Sequence, residues 1–288
     1  MRPENLKSKI FLDSGDPDET KIILEKLGFL DGQTTNPSLF AKNPEVQERI
    51  ANGNKYSKEE VYVAYKQIIE DISHQIPFGS VSIEVYADKD TKAEEMVHQG
   101  REMAVWAATA HIKLPITTEG LKAAEELVKK DGLNVNMTLA FSQSQAAAVY
   151  AATSGAEKDQ VYLSPFIGRL DDRGEDGMSF IKNVLEMYRE TDGHVEVLSA
   201  SVRSYEHFLK CLQLESDIIT VPGKILLEWA EKGLEIPGPD WQYNKGELKT
   251  LEYEEIDINK DWREYNIQHD LTDKGLEKFA SDWNGLID

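Results

Sequence analysis

A lysine in the middle of an apolar run needs an explanation, and HIKLPI (111–116) contains one at Lys113. Burial strips an ammonium group of its hydration and so favours the neutral amine. A neutral amine can attack a carbonyl carbon and form a Schiff base, an electron sink that lets an adjacent carbon–carbon bond break. The same lysine could instead be held as a plain buried ion pair with Glu84 or Asp13, and the residue alone does not choose between the two. Asp13 and Glu84 also supply what imine chemistry asks of carboxylates: one to take a hydroxyl proton, one to exchange protons with water. Thr34, Asn36, Asn136, Thr138, Ser164, Ser201 and Arg203 fall at comparable places in other short runs. Together they would offer hydroxyls, amides and a guanidinium to a polar substrate.

Other chemistries lack their signatures. The six histidines show no HxxxH pair or other metal-ligand spacing, so no metal is expected. His111 shares parity with Lys113 and reads as barrel filler rather than as an acid–base group. No GxSxG elbow supports a serine triad, and neither GxGxxG nor GxxxxGK[ST] is present. Cys211 lies mid-helix as a small packing residue. Asn136-Met137-Thr138 matches a glycosylation sequon only formally, because it lies in a strand.

The elements that must position these groups alternate in kind. Strand-like runs are KIFLD (9–13), GQTTN (32–36), VSIEV (81–85), HIKLPI (111–116), NVNMTL (134–139), VYLSPF (161–166), VEVLSAS (195–201) and DIITVP (217–222). Helix-like stretches separate them, which implies right-handed βαβ units and a parallel sheet. Eight repeats close a (β/α)8 barrel, with an open doubly wound sheet as the alternative. Residues two apart in a strand share a face. Ile10 and Leu12 therefore oppose Asp13, Ile83 opposes Glu84, Ile112 and Leu114 oppose Lys113, and Met137 opposes Asn136 and Thr138. Leu163 opposes Ser164 and Phe166, and Leu198 and Ala200 oppose Ser199 and Ser201. The inward polar set converges at the C-terminal mouth, where barrels carry their sites. The reading is a single domain over residues 1–288, with two extra helices in 43–80. The aromatic-rich tail 236–288 packs on the barrel and ends in a helix at LTDKGLEKFASDW.

Composition limits the partners. With 32 Lys+Arg against 52 Asp+Glu, the net charge is -20. Such a field repels nucleic acid and anionic membranes, whereas one small anion needs only a local island of positive charge. One cysteine permits no intramolecular disulfide, and neither a signal-like N-terminus nor an apolar run of about 18 residues is seen. A cytoplasmic protein is expected; the sequence leaves assembly into a homo-oligomer open.

The motifs FLDSGD (11–16), TTNPSL (34–39), SIEVYA (82–87), IKLPIT (112–117), NVNMTLAFSQSQA (134–146), SPFIGRLDD (164–172), SASVRS (199–204) and TVPGKIL (220–226) resemble, in order, the strand-end motifs of the transaldolase family. The resemblance covers residues 9–230 and returns at HDLTDKGLEKFASDW. It implies a class I aldolase barrel with no metal or organic cofactor. Lys113 matches the Schiff-base lysine, and Asp13 the acid/base acting on the donor's C4 hydroxyl. Glu84 and Thr138 match the pair that holds a water. Thr34, Asn36 and Asn136 match hydroxyl-orienting positions, and Arg169, Ser201 and Arg203 match the phosphate site, which Ser164 lines. The implied substrates are phosphorylated sugars, with sulfonated ones as an alternative. Fructose-6-phosphate aldolases usually carry Gln and Tyr where this chain has Glu84 and Phe166, which favours transfer over free aldol cleavage. A catalytically silent binding barrel is the remote alternative.

Overall fold

In the computed structural model, which describes residues 2–288, eight parallel strands close into a barrel in chain order. They are β1 (Lys9–Asp13), β2 (Gly32–Thr34), β3 (Ser80–Glu84) and β4 (Ala110–Pro115), then β5 (Val135–Ala140), β6 (Val161–Pro165), β7 (Val195–Ser199) and β8 (Ile218–Val221). The first half carries helices α1 (Pro17–Leu27), α2 (Pro37–Ala41), α3 (Pro44–Ala51), α4 (Lys58–Gln75), α5 (Ala93–Met103) and α6 (Thr118–Lys129). The second half carries α7 (Gln143–Ala152), α8 (Ile167–Asp171), α9 (Gly177–Tyr188), α10 (Tyr205–Gln213), α11 (Gly223–Glu231) and α12 (Asp270–Asn284). This is the (β/α)8 architecture that the alternation predicted. Among the described residues no helix is long and apolar enough to cross a membrane.

Local chemistry sets the joints. The Asp16 carboxylate accepts from the Asp18 amide, Pro17 fits the first turn, and Gly28 at φ +75° ends α1. After β4 the Thr117 hydroxyl caps α6 by accepting from Gly120 N. A Cβ on Gly120 would lie 1.9 Å from the Pro115 carbonyl oxygen, so glycine lets the helix start tight against the strand that carries Lys113.

Ile10, Leu12, Ile83, Ile112, Leu114, Met137 and Leu163 are fully buried, on the faces the alternation gave to the helix layer. Inside the barrel Phe11 meets Tyr162 edge-on with centroids 6.0 Å apart, and His111 stacks on Tyr162 at 3.9 Å. His111 bonds Ser80 Oγ at 2.8 Å and the Asp159 carbonyl at 2.9 Å, and burial lowers its pKa to about 4. It is neutral filler at the barrel's foot. Beneath it Lys9 pairs with Glu196 at 3.0 Å and with Asp159. Burial pushes the Glu196 carboxyl up to about 7 against the pull of Lys9.

Two expectations need correction. The strand reading of 195–201 put Ser199 inward, but Leu198 and Ala200 line the barrel mouth while Ser199 bonds Ser216 Oγ at 2.8 Å. Ser201 reaches the mouth because its left-handed backbone (φ +59°) reverses the alternation. Of the two helices in 43–80, α4 is the β2–β3 crossover itself, and its Val61, Ile69 and Ile72 are fully buried. The additions beyond the repeat are the short α2 and α3. In the tail, Trp262 Nε1 donates to Glu125 and Gln145 Nε2 donates to Thr272 Oγ1, after which α12 lies across the mouth.

Candidate active site

Strand register brings the chemistry together. Glu84 pairs across the sheet with Lys113, Lys113 with Asn136, Thr138 with Ser164, and Asp13 with Thr34. In a parallel sheet, inward residues at one level thus form a ring. Lys113 is 3% exposed and its Nζ lies 3.1 Å from Glu84 Oε2. It also donates to the Thr35 carbonyl at 3.3 Å. That carbonyl is fixed from outside the barrel: Thr35 Oγ1 donates to the Ser82 carbonyl and accepts from Tyr65 Oη, which itself accepts from Glu84 N. Tyr65 of α4 therefore orients both partners of the lysine.

Beside the lysine, Glu84 Oε2 has only its 3.1 Å contact with Lys113 Nζ, and the buried Thr138 Oγ1 has no hydrogen-bond partner among the described residues. Buried hydroxyls are rarely left so, and Thr138 can bond a water or a substrate oxygen. Burial raises the Glu84 carboxyl above its ordinary range, opposed chiefly by Lys113. Burial likewise raises Asp13, opposed by Lys113, by the Thr34 hydroxyl and by Lys42. Thr34 Oγ1 donates to Asp13 Oδ1 at 2.8 Å, so its contact with Thr220 must be donated by Thr220. Both carboxyls thereby hold a proton more readily than an exposed one would.

The opposite wall is cationic. The Arg169 guanidinium sits 5.5 Å from the Phe166 centroid and 5.6 Å from that of Phe279, and makes no ion pair among the described residues. Burial and the nearby Arg203 both disfavour its charge. Arg203 bonds Asp172 and lies across Gly168, where a Cβ would come within 2.3 Å of its Nε. An anion between the two guanidiniums would relieve both their mutual repulsion and the desolvation of Arg169.

Between these walls is a cavity of about 300 Å³. Of the residues singled out from sequence, Asp13, Thr34, Asn36, Lys113, Ser164, Phe166, Arg169, Ser201 and Arg203 line it. Glu84, Asn136 and Thr138 do not; they lie buried behind the lysine. Asn136 joins the layers by donating to Ser82 Oγ at 3.0 Å and accepting from Ser164 Oγ at 2.6 Å. Asn36 spends its carbonyl oxygen on capping α2 at Leu39 N, which leaves its amide NH2 for the cavity. Sequence reasoning missed Thr220, Ser38, Lys42 and the α12 residues Lys278, Phe279 and Asp282, all in the lining. Parity would have given Thr220; the others come from helices, where no strand alternation points.

Comparison with known proteins agrees with this geometry. A family model described as transaldolase/fructose-6-phosphate aldolase matches residues 10–288. A probable transaldolase of Dehalococcoides mccartyi is 34% identical over 278 residues, covering 96% of this chain and 99% of the relative. One from Herpetosiphon aurantiacus is 33% identical over 280 residues, covering 97% and 96%. One from Cereibacter sphaeroides is 37% identical over 238 residues, covering 81% and 95%. A closed eight-stranded barrel with a buried lysine at its mouth, and matches along nearly its whole length, place the chain in the transaldolase/fructose-6-phosphate aldolase family.

Proposed function

We propose that the protein is a transaldolase that moves a dihydroxyacetone unit from a ketose phosphate to an aldose phosphate through a Schiff base on Lys113. The donors would be fructose 6-phosphate or sedoheptulose 7-phosphate, and the acceptors erythrose 4-phosphate or glyceraldehyde 3-phosphate, as in pentose phosphate metabolism. The observation that carries the reading is the Lys113 amine, 3% exposed at the floor of a cavity whose far wall holds Arg169 and Arg203.

In this mechanism Lys113 Nζ attacks C2 of the ketose. Glu84, with a water held by the unpartnered Thr138 hydroxyl, passes the protons that turn the carbinolamine into an imine. Asp13 then takes the proton of the C4 hydroxyl. The C3–C4 bond breaks, its electrons move toward the iminium, and the aldose leaves as an aldehyde. Ser164, held by Asn136 behind it, orients the hydroxyls of the remaining three carbons, and Thr34 and Asn36 those of the departing sugar. Arg169, Arg203 and Ser201 hold the phosphate, and a sulfonate would find the same donors. The acceptor aldehyde repeats the steps in reverse, with Asp13 returning its proton.

Measuring product formation from fructose 6-phosphate with and without erythrose 4-phosphate tests the proposal. Turnover should depend on the acceptor. Rapid release of free dihydroxyacetone without it would make the protein a fructose-6-phosphate aldolase instead.

A further inference from the structure

One ring in the cavity comes from outside the barrel. Phe279 of α12 is 5% exposed, and its centroid lies 5.9 Å from Lys113 Nζ, the same distance as that of Phe166. Both rings therefore lie near the amine, so a three-carbon unit bound to that nitrogen lies within reach of both. Phe279 also helps to close the route to Glu84. With Leu276 and Ala280 it faces Glu84 and Pro115 across a gap without room for a water.

The helix is seated by specific contacts. Gly275 has no side chain to strike Leu139 or Arg169, from which a Cβ would be 2.6 and 2.7 Å. Thr272 Oγ1 donates to the Leu139 carbonyl at 2.9 Å. Ser38 of α2 donates to Asp282, whose other oxygen pairs with Lys278, so a polar latch joins the two rims of the mouth. Trp283 packs on Phe40 at 5.5 Å and on Tyr65 at 5.6 Å.

We infer that Phe279 is the water-excluding residue that decides whether the lysine-bound three-carbon unit is transferred or released; this deepens the transfer reading above and rests on it. After cleavage that unit is an enamine on Lys113. In transfer, C3 attacks the acceptor aldehyde carbon, the new alkoxide takes the proton held by Asp13, and water then adds at C2 to free the ketose. In release, C3 takes a proton from solvent, water adds at C2, the C2–N bond breaks, and dihydroxyacetone leaves the free amine. The two routes differ in whether bulk water reaches C3 before an aldehyde does. Phe279, beside the nitrogen and closed against Glu84, withholds that water.

The test is the partition ratio, free dihydroxyacetone released per unit transferred, measured with fructose 6-phosphate and erythrose 4-phosphate. Borohydride trapping on Lys113 is run in parallel. Phe279→Ala should raise the ratio at least about tenfold, Phe279→Leu less, and Ser38→Ala in the same direction, with the lysine adduct still forming in each. An unchanged ratio in a folded, trappable Phe279→Ala variant overturns the inference. If that variant does not fold, unchanged ratios in both Phe279→Leu and Ser38→Ala overturn it. A wild-type protein that forms no adduct overturns the transfer reading, and this inference with it.

Discussion

Gly168, in the SPFIGR run, lets the two arginines stand side by side, and Gly168→Ala should separate them. The added Cβ would lie 2.3 Å from Arg203 Nε, 2.6 Å from its Cδ and 2.6 Å from the Ser201 carbonyl oxygen, where ordinary contact begins at 3.4 Å. The backbone oxygen has little freedom, so the guanidinium must move by about 1 Å or more. Overpacking of this kind costs the fold about 1–3 kcal/mol. Losing one charge-assisted hydrogen bond to an anion costs about 1.5–3 kcal/mol, or roughly 10- to 150-fold in affinity. The assay is steady-state kinetics with fructose 6-phosphate and with free fructose, alongside melting curves. KM for the phosphorylated donor should rise by that factor, while kcat and the turnover of free fructose change little. Gly238, whose Cβ position has nothing within 4 Å, provides a silent alanine control. An unchanged KM in a folded Gly168→Ala variant, or equal losses on both substrates, would refute the assignment of Arg203 to the anion.

The remaining predictions concern protons and packing. Glu196 is raised to about 7 by burial, so its contribution to stability is full below its ordinary 4.5 and is lost as pH rises through 7. Glu196→Gln has no such titration, so the melting temperature of the variant minus that of wild type should climb by a few degrees between pH 5 and 8. The corresponding free energy is on the order of 3 kcal/mol. A flat difference would contradict the buried carboxyl. Thr34→Val removes the hydroxyl that holds Asp13 down, so the acid limb of kcat/KM should move to higher pH; an unmoved limb would exclude Asp13 as the base. Gly32→Ala would put a Cβ 2.5 Å from the Phe11 ring and from the Ser80 carbonyl oxygen. Denaturant melts should show a loss of about 1–3 kcal/mol, partly restored by adding Phe11→Leu.

How far the sequence foretold the molecule depends on whether neighbours in sequence are neighbours in space. In β3, β4 and β5 the polar residues face inward and the apolar ones outward, and β1 departs from this only at the inward Phe11, so Asp13, Glu84, Lys113, Asn136 and Thr138 could be placed by counting. In β7 two polar residues face opposite ways, each satisfied from afar: Glu196 by Lys9 inside the barrel, Ser199 by Ser216 outside it. Nothing local distinguishes them, and the alternation misled. Strand ends were blurred for a similar reason. Asn36 reads as the close of GQTTN but is the cap of α2, and Ser201 lies past β7 on a left-handed turn. The tail was legible as a packed helix from its aromatics. That Phe279 would come to rest beside Lys113 was not, because the contact is made only after the chain has closed the whole barrel.

The proposed mechanism requires Lys113 to be a nucleophile and not merely the partner of Glu84 in a buried ion pair. Borohydride reduction in the presence of fructose 6-phosphate, followed by peptide mass mapping, decides between them. A nucleophilic Lys113 should give a three-carbon adduct that is absent without substrate and absent in Lys113→Ala, which should also be inactive. Wild-type protein that turns over substrate yet leaves Lys113 unmodified, or a Lys113→Ala variant with full activity, would contradict it.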